Sequence, residues 1–186
     1  MTEISDTIVR PSRAVERFIL QWGNMGGSWG VNRSVSQIHA LLYVSERPLS
    51  AEEIAGRLDI ARSNVSNSIK ELLGWRLIRR APVMGGRADH FEAETDLWEI
   101  AALIAAGRKA REIDPAIVAL KACMAAAESD ANVHPVARQR LKAMLEFTET
   151  VDRWHTQMIG VPKARLAAIV RLGAKILKYL PLGTVK

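Results

Sequence analysis

Residues 50–74 read SAEEIAGRLDIARSNVSNSIKELLG and carry the signals of two short helices joined by a turn. Ser50, followed three residues later by Glu53, forms a capping box. In such a box the hydroxyl accepts an unpaired helix N–H, and the carboxylate reaches back to the N-cap backbone. Apolar residues at helical spacing then predict a first helix over Ala51–Leu58 and a second over Arg62–Gly74.

The turn between these helices has the chemistry that a helix-turn-helix needs. Asp59 adopts left-handed backbone more readily than most residues do. Small Ala55 stands where the helices would cross, Val65 is the inward anchor of the second helix, and Gly74 is predicted to cap its end. Such a pair exposes its second helix at the protein surface, so the first residues of that helix can enter a DNA major groove.

The exposed start of the second helix is rich in hydrogen-bond donors and acceptors. An isolated Ser or Asn on a helix is most often part of a solvated face. Here a cluster of them occupies the side that a helix-turn-helix presents to DNA, and such side chains suit base edges and phosphates. The predicted DNA-contacting residues of this helix are Arg62, Ser63, Asn64, Ser66, Asn67 and Lys70.

A β-hairpin is predicted directly after the second helix. Two stretches with strand character flank a Gly-Gly turn within residues 77–93. We interpret this hairpin as a wing with Arg87 at its tip, because a basic tip fits the enhanced negative potential of a narrow minor groove. Arg79 and Arg80 are assigned to DNA phosphates.

Helical patterns account for the rest of the chain. A helix is predicted over Pro11–Met25, followed by a glycine-rich turn from Gly23 to Gly30 and a helix that begins near Ser34 and ends before Pro48. Four helices follow the hairpin, and the last three open at Pro115, Pro135 and Pro162.

The predicted fold class is mainly α with a small β-hairpin wing: a winged helix-turn-helix plus an α-helical dimerisation region. Residues 1–33, the N-terminal helix and glycine-rich turn, are assigned to dimerisation. Residues 34–94 are assigned to the winged helix-turn-helix DNA-binding domain, and residues 95–186 to a helical region for dimerisation and an effector site.

Five short motifs occur in order along the chain: Trp29–Ser34, Ile38–Tyr43, Ala61–Ser68, Asp89–Phe91 and Arg111–Pro115. Together they resemble the GbsR-type branch of the MarR superfamily of winged helix-turn-helix transcriptional regulators, over essentially the whole chain. The resemblance implies a dimeric winged-helix regulator whose terminal helices form the interface. We expect it to act as a repressor, although the sequence does not distinguish repression from activation. Members of this group often respond to a small molecule.

Two positions depart from the pattern of that branch. Asp59 stands where similar proteins often have Gly, and Gly86-Arg87-Ala88 stands where they have Asp followed by two basic residues. Since a single arginine remains, the second departure weakens the expected wing contact and leaves the recognition helix unaffected.

A homodimer is also expected from the apolar residues of the terminal helices. On a lone winged domain these side chains would stay exposed, and an exposed apolar patch usually marks a partner surface. The predicted interface is built from the N-terminal helix and the last two helices, with Val15, Phe18, Ile19, Leu166, Ile169 and Val170.

Charge and composition limit the function classes. The chain has 186 residues and a formal net charge of +6, with basic stretches at residues 60–88 and 153–186. These stretches favour a polyanionic partner, although charge alone does not separate nucleic acid from acidic lipid. No apolar run could span a bilayer and the N-terminus lacks signal-peptide features, so a cytoplasmic location is expected. The single Cys123 fits a reducing compartment and is expected to be a buried, inert thiol.

Catalytic chemistry has little support in the sequence. His39, His90, His134 and His155 fall in four separate segments and show no metal-ligand spacing. No glycine-rich loop precedes a Lys-Ser/Thr pair. We therefore expect no enzyme activity, no bound metal and no cofactor.

Trp22, Trp29 and Trp98 are the candidate effector-pocket residues, whose faces would hold a quaternary ammonium group, with core packing as the competing interpretation.

Two alternatives to an effector-controlled regulator stay open. Without an effector, the protein would be an architectural DNA-binding dimer with little preference for an operator. No membrane partner is expected, but a basic amphipathic last helix also suits an acidic membrane surface. Its basic residues are Lys163, Arg165, Arg171, Lys175 and Lys178.

Overall fold

The computed structural model describes residues 11–84, 88–173 and 175. The chain divides into two compact units, the first ending at Leu103 and the second beginning at Ile104. In the described ranges, we find no helix that combines the length and the apolar character needed to cross a membrane.

The first unit is a set of helices closed by a small antiparallel sheet. Its strands lie in the order β1-β3-β2, with Leu49 opposite Phe91 and Ile78 opposite Ala93. The elements are α1 Arg13–Ser28, α2 Arg33–Tyr43, β1 Leu49–Ser50, α3 Ala51–Leu58, α4 Arg62–Gly74, β2 Ile78–Ala81, β3 His90–Ala93 and the start of α5 Leu97–Arg108. The mainly α fold with a small β-hairpin wing is confirmed.

The predicted signals around α3 are present in atomic detail. The Ser50 N–H donates to Glu53 Oε2 at 2.7 Å, and the Glu53 N–H donates to Ser50 Oγ at 3.2 Å. Asp59 ends α3 in the left-handed region at φ 54° and ψ 49°. The capping box and the Asp59 turn therefore fix where α3 begins and ends.

The core of the first unit joins α2 to the helix-turn-helix. Helix α2 packs against α1, α3 and α4, and α4 turns one apolar side inward. Burying such side chains contributes roughly 1.5–3 kcal/mol each relative to leaving them exposed. The largest fully buried side chains are Ile38, Leu41, Leu49, Ile54, Val65 and Leu72.

The predicted glycine-rich turn after α1 is wrong in extent. Helix α1 does not end at Met25 but continues through Gly23, Gly26 and Gly27 to Ser28. A Cβ on Gly26 would lie 1.9 Å from Ser36 Oγ, and one on Gly23 would lie 2.6 Å from Gln37 Cγ. These two glycines are buried and let α1 approach α2 closely.

Alanine at two neighbouring glycines should have opposite effects on stability. Gly26→Ala should lower the free energy of unfolding by about 1–3 kcal/mol, because its methyl group overpacks the α1–α2 contact. Gly27→Ala is the matched control: nothing lies within 4 Å of its added Cβ. It should stabilise the helix by roughly 0.5–1 kcal/mol. Equal urea midpoints for the two variants would refute this account of the contact.

Two further details of the first unit differ from expectation. Strand β1 was not predicted; it pairs with β3 at only two positions, Leu49 with Phe91 and Ser50 with His90. Gly74 does not cap α4, because it lies in the helix, and Arg76 takes the left-handed conformation instead at φ 59°.

One expected interface residue lies in the core. Ile19 is buried, with 3% of its surface exposed, so it packs within its own chain and the expectation that it faces a partner is wrong.

The second unit is helical throughout its described part. Helix α5 runs through a π-helical turn, Lys109–Ile113, directly into α6 Asp114–Ser129. The helix predicted to open at Pro115 is therefore not separated by a loop. Proline lacks an N–H and its ring clashes with the carbonyl four residues earlier, and a local π-helical turn accommodates that defect.

Helices α7 Pro135–Ile159 and α8 Lys163–Leu172 follow in the described part of the second unit. Arg138 Nε donates to the Ala127 carbonyl at 3.1 Å, which ties α7 to α6. Lys109 of the π-helical turn pairs with Asp114 and, at 2.7 Å, with Asp152 of α7. The predicted end of the last helix, Ile176 and Leu177, lies outside the described residues.

The expectation that Cys123 is a buried thiol is wrong. Its side chain is exposed on α6, so it is not a buried thiol. The surrounding alanines and Met124 suggested burial, but much of the apolar surface of α6 is not covered within this chain; Val118, for example, is 68% exposed.

Candidate nucleic-acid interface

Helix α4 presents its polar side to solvent. Val65, Ser68, Ile69 and Leu72 are buried and fix the rotation of the helix about its axis. The opposite side displays most of the predicted DNA-contacting residues, and the exposed ones are Arg62, Ser63, Ser66, Asn67 and Lys70.

Asn64 is placed differently from its neighbours. It is half-buried, and its Nδ2 donates to Ser34 Oγ at 2.9 Å. This bond joins the start of α4 to the start of α2. Ser34 is itself held at that position, because its backbone N–H donates to the side chain of Asn32, the N-cap of α2. The structure thus gives Asn64 a partner inside the protein.

Arg62 stands at the first position of α4 and pairs with a carboxylate of α3. Its Nη2 contacts Glu52 Oε1. The two side chains are 73% and 71% exposed, so both remain open to a ligand. Exposed pairs of this kind contribute only about 0–1 kcal/mol to folding.

Arg79 and Arg80 of the wing are adjacent in β2 and point to opposite faces of the sheet, and each is also paired with a carboxylate. Arg79 Nε donates to Glu92 Oε1 at 2.7 Å across the β2–β3 ladder, and Glu94 lies 3.9 Å from Arg79 Nη1. Arg80 Nε lies 3.2 Å from Asp89 Oδ2. Both arginines are about two-thirds exposed, at 65% and 66%. The predicted tip residue Arg87 lies outside the described residues.

A groove of about 480 Å³ separates the exposed side of α4 from the wing. It brings Arg62 and Lys70 of α4 together with Arg80 of β2. Glu52 and Asp89 line the same groove. The structure therefore gathers cations from α4 and the wing on one surface, an arrangement that suits a polyanion, and places two carboxylates among them.

A second, apolar cavity of about 210 Å³ lies between α1, α2 and the start of α5. Its lining residues are Phe18, Trp22, His39, Ala40, Tyr43, Leu97 and Ile100. Of the three tryptophans proposed as a pocket, only Trp22 lines it. Trp29 is 58% exposed and Trp98 is half-buried, and neither lines this cavity.

His39 is the unusual residue of this cavity, and sequence patterns gave no signal for its role. It is only 5% exposed, and its Nε2 has no hydrogen-bond partner among the described residues. Its ring lies 6.3 Å from that of Trp22 and 6.5 Å from that of Tyr43. Burial lowers the pKa of His39 to about 4, so the imidazole is neutral at physiological pH.

The MarR family model matches residues 29–88. That segment runs from the end of α1 to the wing. A solved structure of a transcriptional regulator has a TM-score of 0.63 to this chain, with 18% identity, covering 79% of this chain and 96% of that one. This likeness shows that the two chains share a fold.

Other solved structures match at a TM-score of 0.37. One is a MepR variant from S. aureus bound to an oligodeoxyribonucleotide, 15% identical, covering 75% of this chain and 93% of that chain. Another is transcriptional regulator Tm0710 from Thermotoga maritima, 17% identical, covering 77% of this chain and 93% of that chain. No curated protein sequence matches this chain.

Proposed function

We propose that this protein is a homodimeric, DNA-binding transcriptional regulator, expected to act as a repressor, in which α4 contacts base edges and the wing contacts the flanking backbone. The observation that carries the proposal is the exposed polar start of α4 beside Arg80 of the wing, in a segment that matches the MarR family model. The MarR-type fold supplies the scaffold, since a buried apolar side of α4 leaves its polar side free for a major groove.

The operator geometry tests this proposal. A two-fold dimer should protect two inverted half-sites about 10 bp apart, centre to centre, or a multiple of that spacing. Footprinting of DNA next to the protein's own gene gives the measurement. Protected sites without an inverted repeat at several promoters would contradict the model, and equal protection of random DNA would favour an architectural DNA-binding protein.

An apolar stripe on α7 supports the homodimer. At 100° per residue, four exposed apolar side chains of this helix fall on one side, where they extend over much of its length. Such a stripe on a long helix suits a second copy of the same helix, because a two-fold axis places identical faces opposite each other. The stripe consists of Val136, Met144, Phe147 and Trp154, which are 44%, 58%, 70% and 59% exposed.

The residues first expected at the interface have mixed environments. Val170 on α8 is 60% exposed. Leu166 and Ile169 are half-buried, as are Val15 and Phe18 on α1. Within the proposed dimer, α7 therefore supplies an exposed apolar stripe in addition to the residues first expected at the interface.

Phe147→Glu should convert the dimer to a monomer, because it places a charge in the middle of the apolar stripe. Lys142→Glu is the matched control: it adds the same side chain on a different side of α7. Sedimentation at micromolar concentration measures the mass of each variant. A wild-type monomer, or a Phe147→Glu dimer as tight as the control, would contradict this interface.

A small-molecule effector is the second part of the proposal, and the His39 cavity supports it. Engineered apolar cavities of about 150 Å³ bind benzene, so this cavity of about 210 Å³ has room for a compound of one ring. A buried nitrogen without a partner leaves hydrogen-bonding capacity unused. We infer an apolar ligand with one hydrogen-bonding group that reaches His39 Nε2.

A further inference from the structure

Two of the three cations that line the groove between α4 and the wing are paired with carboxylates in the free protein. Arg62 contacts Glu52, and Arg80 contacts Asp89 at 3.2 Å. All four side chains are at least 65% exposed. Pairs this exposed add little to folding stability. Stabilisation of the fold therefore does not explain why two ion pairs lie in the groove between α4 and the wing.

Charge gives these pairs a consequence for DNA binding. Arg62, Lys70 and Arg80 line the groove together with Glu52 and Asp89, so the two acids cancel much of its positive charge. A DNA phosphate or base that takes up an arginine must replace its carboxylate partner, since both bind the same guanidinium N–H groups. Each displaced carboxylate then stays within a Debye length, about 10 Å, of the DNA phosphates.

We propose that Glu52 and Asp89 compete with DNA for Arg62 and Arg80 and so limit the affinity of the protein for DNA of any sequence. This inference rests on the proposed DNA binding by α4 and the wing. Random DNA is held almost entirely through phosphate contacts. Away from the operator, Arg62 has no matching base edge and can contact a phosphate as Arg80 does, so competition at these two arginines lowers the fraction of protein bound to random DNA.

A purely structural role makes a different prediction. Glu52 lies in the first turn of α3, where a negative charge is favoured by the helix dipole. If that were its only role, Glu52→Gln would reduce stability slightly and leave DNA affinity unchanged. Asp89 precedes β3 and lies outside any helix, so Asp89→Asn is free of this ambiguity.

Binding of the full chain to a short duplex of scrambled sequence tests the inference. Glu52→Gln and Asp89→Asn should each tighten binding about two- to fivefold at low salt, and the gain should shrink as salt rises. Glu112→Gln is the matched control. It neutralises an exposed carboxylate that pairs with Arg108 at 3.3 Å in the second unit, and it should leave affinity unchanged.

A double-variant cycle separates competition from general repulsion. In an Arg80→Ala background, Asp89→Asn should gain less affinity than in the wild type, because the arginine for which Asp89 competes is absent. Thermal unfolding of each variant checks that the fold is retained.

The outcomes are distinct. If the wild type binds duplex and the two neutralised variants bind equally or more weakly, the competition is refuted and DNA binding stands. Weaker binding by Glu52→Gln alone would make Glu52 a positioning residue for Arg62, against the proposal. If neither the wild type nor any variant binds duplex at low salt, the proposed function fails and the inference fails with it.

Discussion

Arg62→Ala and Asn67→Ala should each weaken operator binding by about 1–3 kcal/mol and relax sequence preference at one base pair. Both side chains are exposed at the start of α4, where a helix-turn-helix meets base edges. Lys121→Ala is the control; it removes an exposed cation of the second unit that pairs with Glu149 at 3.0 Å. Binding to operator and scrambled duplex across several salt concentrations gives both affinity and specificity.

The wing arginines provide the contrast that makes this result interpretable. Arg79→Ala and Arg80→Ala should weaken operator and scrambled duplex about equally, and each should flatten the salt dependence by about one unit, because one DNA phosphate is no longer neutralised. Arg87 is expected to lie between the two cases, because a minor-groove arginine responds to groove width and favours A·T-rich flanks. If Arg62, Asn67 and Arg87 could all be replaced without loss of operator preference, α4 and the wing would not be the DNA-reading surface.

Local signals explain why the helix-turn-helix could be predicted closely. The Ser50–Glu53 capping box and the left-handed Asp59 lie within the segment whose ends they set. The apolar period of α4 fixes its buried side in the same way. Signals of this kind depend on neighbours three or four residues apart and need no knowledge of the tertiary fold.

Long-range contacts explain most of what the sequence could not provide. Asn64 is of a residue type that often contacts DNA, and its hydrogen bond to Ser34 could not be foreseen because Ser34 lies thirty residues away in the sequence. Gly26 suggests a turn until the position of Ser36 is known, since only the α1–α2 contact shows why a side chain is excluded. The two-residue strand β1 is defined by its pairing with β3 and carries no alternation of its own.

The candidate effector site, the His39 cavity, could not be predicted for the same reason: it is formed by residues that are distant in the sequence. A histidine on the apolar side of α2 is an ordinary core residue by pattern. The cavity and the unpartnered nitrogen appear only when α1, α2 and α5 are assembled. Of the three tryptophans named from the sequence, Trp22 lines this cavity, where its neighbours include Phe18 and Tyr43.

Acidification should destabilise the protein through His39. Its folded-state pKa of about 4 lies below the unfolded value of 6.5, so the unfolded chain binds the proton more readily between these values. The stabilisation is present above pH 6.5 and is lost as pH falls, by about 2 kcal/mol at pH 5 and about 3 kcal/mol at pH 4. Urea unfolding at pH 7 and pH 5 measures this loss. His39→Phe should remove it, while His134→Asn, which changes an exposed histidine, should retain it.

The same His39→Phe variant tests the ligand site, because phenylalanine keeps an aromatic ring at this position and removes both imidazole nitrogens, Nε2 included. Phenol should raise the thermal midpoint of the wild type more than toluene does, since only phenol can donate a hydrogen bond to the neutral imidazole. In His39→Phe the two compounds should act alike. A larger shift with tetramethylammonium than with phenol would favour a cation–π site on Phe18, Trp22 and Tyr43. No shift with any of the three, together with a pH dependence that His39→Phe leaves unchanged, would show that His39 does not line a ligand cavity.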